Sequence, residues 1–340
     1  MIINQWLEIC LMNLLNKSDT ALYFDAPTHK YTDSYQNEYV SCTTLLHKFV
    51  PAFDSKYWAK YKAKERGVSE KAIKAEWELI TDISCERGNK THDYLEGSIK
   101  EVSRFKEAVK YLEESGSNGK MFTVYDIDFN NNVGIIDMAE FYERVGKKYP
   151  EIYRVIEHYV NLGYRIYSEI GVFLQDHLVS GMIDILCIKE SDFVILDWKT
   201  NKDGLRFTSG YYKKDKRRTP HQNTNEWVSK AESLNPPLRH LSNCNGNIYS
   251  LQLSMYATMV HIITGLPCRG LGLCHIGTQF ILNQYGMPLR DEKGMYTVDD
   301  TKEEIVKWFR INFLYEECRT ILAERKATIV AKVDTQGKLF

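Results

Sequence analysis

The stretch 180–200, SGMIDILCIKESDFVILDWKT, decides the fold of this chain. Its segments MIDILCIK and DFVILDWK are rich in Ile, Leu and Val, a composition typical of buried β-strands. Each segment nevertheless contains a carboxylate, Asp184 in the first and Asp197 in the second, and Lys199 follows two positions later. A carboxylate in apolar surroundings is unfavourable unless a cation or hydrogen bonds compensate its charge. The two acids therefore need partners elsewhere in the chain.

The residue numbers predict how these strands pair. A two-residue turn at 190–191 would pair antiparallel residues whose numbers sum to 381, which places Asp184 opposite Asp197. A turn at 176–177 would pair residues whose numbers sum to 353, which places Glu169 opposite Asp184. Directly opposed side chains have Cβ atoms about 4.5–5.5 Å apart. The three carboxylates would then lie side by side across three strands.

Side-chain alternation also puts Lys199 on the face of Asp197, so one patch would carry three acids and a lysine. Opposed like charges destabilise a sheet, but a divalent cation between them would stabilise it, and oxygen ligands suit Mg²⁺ or Mn²⁺. The alternative is that these acids are strand-end charges that face water. The turn sequences leave this alternative open, because two-residue hairpins favour Gly and Asn over Glu-Ser or Asp-His. A slip of one residue would move a strand's charges to the other face.

The remaining hydrophobic pattern predicts an α/β fold. Helices are predicted over 2–17, 54–80 with a break near Gly67, 80–99, 102–114, 137–162 with a break near Pro150, 248–264 and 301–326. A hairpin is predicted at 21–40, and strands at 164–175, 179–189, 192–200 and 269–277. Residues 203–245 are polar and basic, which is typical of a loop. Three antiparallel strands, a helix and a further strand indicate a mixed central sheet flanked by helices.

Composition restricts the partners of this chain. Lys and Arg number 44 against 45 Asp and Glu, so nucleic-acid binding would need local basic patches. No segment approaches the roughly 20 apolar residues of a membrane span, and we expect no membrane partner. The apolar N-terminal segment WLEICLMNLL contains an acid and lacks a basic flank, which favours a helix over a signal peptide. The eight cysteines form no CxxC pair, as expected of free thiols in a reducing cytoplasm.

Four motif elements in order resemble the RecB-type branch of the PD-(D/E)XK nuclease superfamily. They are His92 in RGNKTHDYLEG, Asp184 in SGMIDIL, Asp197 and Lys199 in DWKT, and Gln252 with Tyr256 in LQLSMYA. The resemblance covers about residues 85–277, and the preceding segment is similar to phage and mitochondrial-type exonucleases of this branch. It implies a restriction-endonuclease-like core at 85–280 with an inserted basic loop at 203–245. An N-terminal helical and hairpin extension (1–84) and a C-terminal helical extension (281–340) would complete one compact unit.

The resemblance also implies a role for each motif residue. One or two Mg²⁺ or Mn²⁺ ions would be bound by His92, Asp184, Asp197 and the backbone carbonyl of Trp198, with Glu169 as a further acid near the metal. Lys199 would orient the attacking water and stabilise charge at the scissile phosphate. Gln252 and Tyr256, one helical turn apart, would steady the substrate or the Lys199 loop. Glu96 would either hold His92 from behind or form a surface pair on the helix.

The run YYKKDKRR at 211–218 is the strongest local basic patch. We expect phosphate contacts from Lys213, Lys214, Lys216, Arg217 and Arg218. Tyr211 and Tyr212 could stack on bases. The alternative is an ordinary solvated loop.

Some RecB-type nucleases bind an iron–sulfur cluster through four cysteines. Here only Cys85, Cys268 and Cys274 have suitable positions, and three thiolates do not complete a four-cysteine site. We therefore expect no iron–sulfur cluster.

The resemblance predicts a Mg²⁺- or Mn²⁺-dependent deoxyribonuclease, an exonuclease on single strands or duplex ends. We expect a cytoplasmic protein of phage or bacterial type that acts on DNA in recombination, repair or genome processing, with a recombination or replication protein as a further partner. Two alternatives remain. One is an endonuclease on the same scaffold, and the other is a catalytically silent nuclease-fold module that binds DNA or a partner.

Overall fold

The computed structural model describes residues 20–336, apart from 106–107, 109–118, 218–220 and 292–294. The strands are β1 (Leu22–Asp25), β2 (Lys30–Asp33), β3 (Glu38–Ser41), β4 (Arg165–Leu174), β5 (Val179–Lys189), β6 (Asp192–Lys199), β7 (Gly210–Asp215), β8 (Gln222–Ser229), β9 (Cys268–Gly277) and β10 (Ile305–Ile311). The helices are α1 (Cys42–His47), α2 (Ser55–Arg66), α3 (Glu70–Val102), α4 (Met138–Phe141), α5 (Pro150–Asn161), α6 (Asn245–Thr264) and α7 (Tyr315–Gln336). The predicted helix at 2–17, most of that at 102–114, and Arg218 lie outside the described residues.

A mixed eight-stranded sheet forms the centre of the fold. Its strands follow the order β1-β2-β3-β5-β6-β9-β10, and β4 pairs with β5. The pairs β3–β5 and β6–β9 are parallel, and the others are antiparallel. Helix α6 provides the long connection that the parallel pair β6–β9 requires. The α/β class with a mixed sheet flanked by helices is therefore confirmed.

Both strand registers agree with the numbering argument. The β5–β6 ladder pairs Leu186 with Ile195 and ends in a two-residue turn at 190–191. The β4–β5 ladder keeps its predicted register from end to end but omits the pair of Glu169 and Asp184. The connection between β4 and β5 is a 3₁₀ turn at 175–177 followed by one further residue, longer than the predicted two-residue turn. The register is nevertheless the predicted one, because this longer turn is centred on the same position.

Two hydrophobic clusters cover the faces of the sheet. The first joins β4, β5 and β6 to α6, α7 and α1, and the second joins the same strands to α3 and α5. Tyr167 and Ile170, three residues apart on β4, both belong to the first cluster. Regular alternation would separate them, so the side-chain alternation shifts by one residue between them. The shift coincides with Glu169, whose φ is +49°, a left-handed conformation that non-glycine residues rarely adopt.

Local signals account for the helix boundaries on the N-terminal side. The Ser41 hydroxyl accepts from the Thr44 N–H and caps α1. Gly67 has a φ of +68° and ends α2. The predicted helices at 70–80 and 80–99 form a single helix, α3, because no Pro or left-handed Gly interrupts the segment. One continuous helix therefore joins the ion pair between Arg66 of α2 and Glu76 to His92.

The structure corrects three further predictions. The segment 21–40 is a three-stranded meander that joins the central sheet, not a lone hairpin. The basic loop 203–245 contains the separate β7–β8 hairpin. The predicted helix over 301–326 was wrong in its first half, because 305–311 (IVKWFRI) forms strand β10 on the open edge of β9 and the helix begins only at Tyr315. β-Branched and aromatic residues favour that strand.

Gly181 is the small residue that precedes Asp184 in SGMIDIL, and it allows α6 to pack closely on β5. A Cβ at Gly181 would lie 2.4 Å from Cε1 of the buried Tyr256 ring. Gly181→Ala should therefore lower the free energy of unfolding by about 1–3 kcal/mol in urea denaturation. The control is Gly97→Ala on α3, where a Cβ would meet no atom within 4 Å, and stability should be retained or rise by up to ~1 kcal/mol. Equal stability of the two variants would contradict this packing.

Candidate metal centre and active site

The candidate site lies where the neighbours of β5 separate. Strand β3 pairs with the start of β5 up to Ser180, and β6 pairs with it only from Ile185 onward. Between these ladders, Asp184 faces a cavity of about 520 Å³ between α3, the sheet and α6. The titratable side chains that line this cavity include His92, Glu96, Glu169, Asp184, Lys199 and Tyr249. The structure therefore brings together most of the predicted metal-binding and catalytic residues, but not the predicted substrate-binding residues.

Three side chains in this cavity could hold a metal ion. The ligand atoms of His92, Glu96 and Asp184 all lie within 4.8 Å of one another. Nδ1 of His92 is 3.4 Å from Oε1 of Glu96 and 3.7 Å from Oδ2 of Asp184. His92 and Glu96 are one turn apart on α3, so the helix presents them together. Glu96 is thus itself a candidate metal ligand, whereas the sequence predicted only that it would hold His92 or form a surface pair.

The backbone of β6 holds Asp184 in place. The N–H of Trp198 donates to Oδ2 of Asp184 at 3.0 Å. The Trp198 side chain is fully buried and packs edge-on against Trp308, with ring centroids 5.9 Å apart. Trp198 therefore fixes one candidate ligand through its N–H. The metal-binding role expected of its carbonyl stays a prediction.

Electrostatics at this cluster favour an added cation. Burial, and then the neighbouring charge of Asp197, raise the pKa of Asp184 to about 7. Burial lowers the pKa of His92, but the hydrogen bond to Glu96 and the charge of Asp184 outweigh it, and the pKa rises. Both shifts show a surplus of negative charge in a poorly solvated place. A divalent cation would relieve it.

Asp197 and Lys199 form a buried pair beside the cluster. Asp197 is only 2% exposed, and its Oδ2 forms an ion pair with Nζ of Lys199. Burial lowers the pKa of Lys199, but the charges of Asp197 and Asp184 outweigh it and raise the pKa, which keeps the ammonium charged. Nζ of Lys199 also lies 4.7 Å from the centre of the Tyr249 ring, within cation–π range. Asp197 is not one of the three clustered ligands, and its observed partner is Lys199.

Glu169 lines the cavity from β4, next to Lys100 of α3. The two side chains form an ion pair. The positive φ at Glu169 interrupts the β4–β5 ladder opposite Asp184. An unfavourable backbone conformation at a charged cavity residue is typical of a functional site.

Gln252 and Tyr256 lie behind the sheet, outside the cavity lining. The amide of Gln252 donates to the Tyr256 hydroxyl at 3.1 Å and to Oγ1 of Thr43 at 3.4 Å. The Tyr256 ring is buried against Gly181. Their observed contacts join α6 to α1 and β5, and so position the strand that carries Asp184.

The predicted phosphate-binding residues lie on the β7–β8 hairpin, away from the cavity lining. Lys213 pairs with Glu226 at 3.1 Å, and Arg217 pairs with Asp215 at 3.0 Å. Within the described ranges, Lys214 and Lys216 form no salt bridge. These two lysines are therefore the better candidates for an external anion.

Sequence reasoning missed three residues of the site. Lys100 is one turn beyond Glu96 on α3, and Tyr249 is one turn before Gln252 on α6, so helical spacing could have found both. Asn201 also lines the cavity, and its buried Oδ1 has no hydrogen-bond partner among the described residues. No spacing rule pointed to Asn201.

No family model, no curated protein and no solved structure matches the chain. The relation to the PD-(D/E)XK superfamily therefore stays a prediction. In the part of the chain that the structure describes, no helix has both the length and the apolar character needed to cross a membrane.

Asp184→Asn should stabilise the metal-free protein at neutral and higher pH. The pKa of Asp184 in the folded state, about 7, lies above its ordinary value of 3.8. The folded state therefore binds this proton more tightly, and its stability falls as pH rises from 3.8 through about 7. Asparagine removes this loss, and its amide oxygen can still accept from Trp198.

Thermal unfolding in EDTA across this pH range measures the effect. The control for loss of a carboxylate is Asp82→Asn, an exposed position of α3, which should keep the natural pH dependence. An Asp184→Asn variant whose stability falls with pH as steeply as that of the natural chain would contradict the assignment.

Proposed function

We propose that this chain is a metal-dependent deoxyribonuclease with a restriction-endonuclease-like core. It would hydrolyse phosphodiester bonds, as an exonuclease on single strands or duplex ends. The observation that carries the proposal is the convergence of His92, Glu96 and Asp184 in one cavity with Lys199. The family resemblance adds a role in recombination, repair or genome processing, as a cytoplasmic protein of phage or bacterial type, with a recombination or replication protein as partner.

The donor set fits a divalent cation. Two carboxylates and one imidazole nitrogen lie within 4.8 Å of one another. Burial and the charge of Asp197 raise the pKa of Asp184, so a nearby positive charge would stabilise its ionised form. Carboxylate oxygens suit Mg²⁺ and Mn²⁺. His92, Glu96 and Asp184 would hold the ion. When bound, it would neutralise charge on the phosphate and lower the pKa of a coordinated water.

Lys199 supplies the fixed positive charge of the site. Its ammonium is held by Asp197 from one side and by the Tyr249 ring from another. Such a charge, held in place before the reaction, stabilises negative charge that grows on the phosphate in the transition state. Asp197 would thus act through Lys199 and through its charge on Asp184.

The strand order supports the same proposal. Strands β4, β5 and β6 are consecutive and antiparallel, and α6 then leads to β9, parallel to β6. This is the order of elements that the family resemblance implies. Asp184 lies in the middle of β5, next to the last pair of the β5–β6 ladder, and Asp197 and Lys199 lie at the end of β6.

Asp184→Asn and Lys199→Gln should each abolish or strongly reduce cleavage. We expect at least the 10²- to 10³-fold loss that is typical, to about that order, of removing a transition-state charge contact. The measurement is a time course on end-labelled linear single- and double-stranded DNA with Mg²⁺ or Mn²⁺. The control is Lys147→Gln, an exposed lysine that pairs with Glu143. Full activity in either site variant, with the fold intact by circular dichroism, would refute the proposal.

Circular single-stranded DNA separates the exonuclease from an endonuclease on the same scaffold. An exonuclease cannot begin on a substrate without ends. Cleavage of the circle at a rate similar to that of the linear strand would therefore favour the endonuclease. The buried charges of the site are compatible with an exonuclease and with an endonuclease alike.

Metal titration addresses the catalytically silent alternative. If His92, Glu96 and Asp184 hold the ion, Mn²⁺ should bind the natural chain in calorimetry and raise its unfolding temperature. Glu96→Gln and His92→Ala should weaken that binding by about 10-fold or more. A natural chain that binds no Mn²⁺ and cleaves no DNA would instead favour a binding module.

A further inference from the structure

A second, larger cavity separates helix α2 from the β7–β8 hairpin. Its volume is about 1190 Å³, above the roughly 300–1,000 Å³ of small-molecule sites. We call it the α2–hairpin groove and define it by Trp58, Tyr61 and Lys62 on one wall and by Tyr211 and Lys214 on the other. None of these residues lines the candidate active site. Its size suits a segment of a polymer.

Exposed aromatic rings occur on both walls of this groove. Trp58 and Tyr61 lie one turn apart on α2 and are 38% and 52% exposed, and Tyr211 on β7 is 49% exposed. The Trp58 and Tyr61 rings meet edge to face, 5.7 Å apart. Exposed apolar side chains that cluster in a groove, unlike singly scattered ones, are typical of interaction sites. Flat rings with accessible faces are the platforms on which unpaired bases stack.

The groove also holds more positive charge than its acids balance. Glu65 already has a partner in the groove, because its Oε1 lies 3.3 Å from Nδ1 of His221. Among the residues that the structure describes, Lys62 and Lys214 form no salt bridge. Burial, and then the charges of Lys214 and other cations, lower the pKa of Lys62. A bound anion would stabilise this arrangement of cations.

We propose that the α2–hairpin groove binds a segment of single-stranded DNA, with bases stacked on Trp58 and Tyr61 and phosphates held by Lys62 and Lys214. Duplex DNA fits this arrangement poorly, because its base faces are already stacked on one another. A small anion would use the lysines but would leave the rings uncovered. The proposal rests on the proposed nuclease function and assigns its substrate as an unpaired strand.

Binding can be measured without any cleavage. The full chain carrying Asp184→Asn, kept in EDTA, is titrated into fluorescein-labelled oligo-dT while anisotropy is recorded. The measured affinity therefore tests DNA binding by the groove independently of metal binding and of cleavage. Parallel titrations use oligo-rU and a duplex of the same length. The single strands should bind tighter than the duplex, and equal affinity for the duplex would overturn the proposal.

Trp58→Ala and Tyr61→Ala test the stacking contacts. Loss of one stacked base corresponds to about 1–3 kcal/mol, so Kd should rise roughly 5- to 150-fold per ring. Trp58→Phe keeps an aromatic face and should restore most of the affinity. Tyr35→Ala removes a ring that is more exposed, at 67%, and lies outside the groove, and it should leave Kd unchanged. Unchanged Kd in both alanine variants would overturn the proposal.

The salt dependence of Kd tests the phosphate contacts independently. Each neutralised phosphate of a single strand contributes about 0.7 to the slope of log Kd against log salt concentration. The double variant Lys62→Gln/Lys214→Gln should therefore reduce the slope by about 1.4, whereas Trp58→Ala should weaken binding at an unchanged slope. The control is Lys147→Gln. An unchanged slope in the double lysine variant would place the strand elsewhere on the protein.

Discussion

The burial of Asp184 beside Asp197 is the constraint on which the rest of the site depends. Two carboxylates with so little water are stable only if other groups compensate their charge. The N–H of Trp198 and the ring of His92 reach Asp184, and Lys199 pairs with Asp197. The contacts come from two distant parts of the chain, β6 for the lysine and the tryptophan and α3 for the histidine. The charges thereby require α3 and the two central strands to keep their relative positions.

The surrounding packing holds this arrangement in place. Close approach of α6 to β5 depends on the absence of a side chain at Gly181, and Gly88 plays the equivalent part for α3, where a Cβ would lie 2.9 Å from Oγ1 of Thr200. Both glycines belong to the motif segments that carry Asp184 and His92. The small residues of these motifs therefore control distances between layers, and the charged residues depend on those distances.

The central strands could be predicted because their information is local. Short turns and a period of two set the register of β4, β5 and β6 without any knowledge of the remaining fold. The conformation of Glu169 could not be predicted, because it depends on contacts across the sheet. Strand β10 was missed for a similar reason, since its pairing with β9 joins segments about thirty residues apart. The groove wall formed by Trp58 and Tyr61 becomes visible only when α2 meets a hairpin some 150 residues later in the chain.

The unbroken helix α3 also fixes a distance within the molecule. Arg66 of α2 pairs with Glu76 of this helix, and His92 follows sixteen residues later, which corresponds to about 24 Å along the axis. Because a rigid helix, rather than a flexible linker, joins these two points, the contact with α2 and the cluster around His92 cannot move independently of each other along that axis.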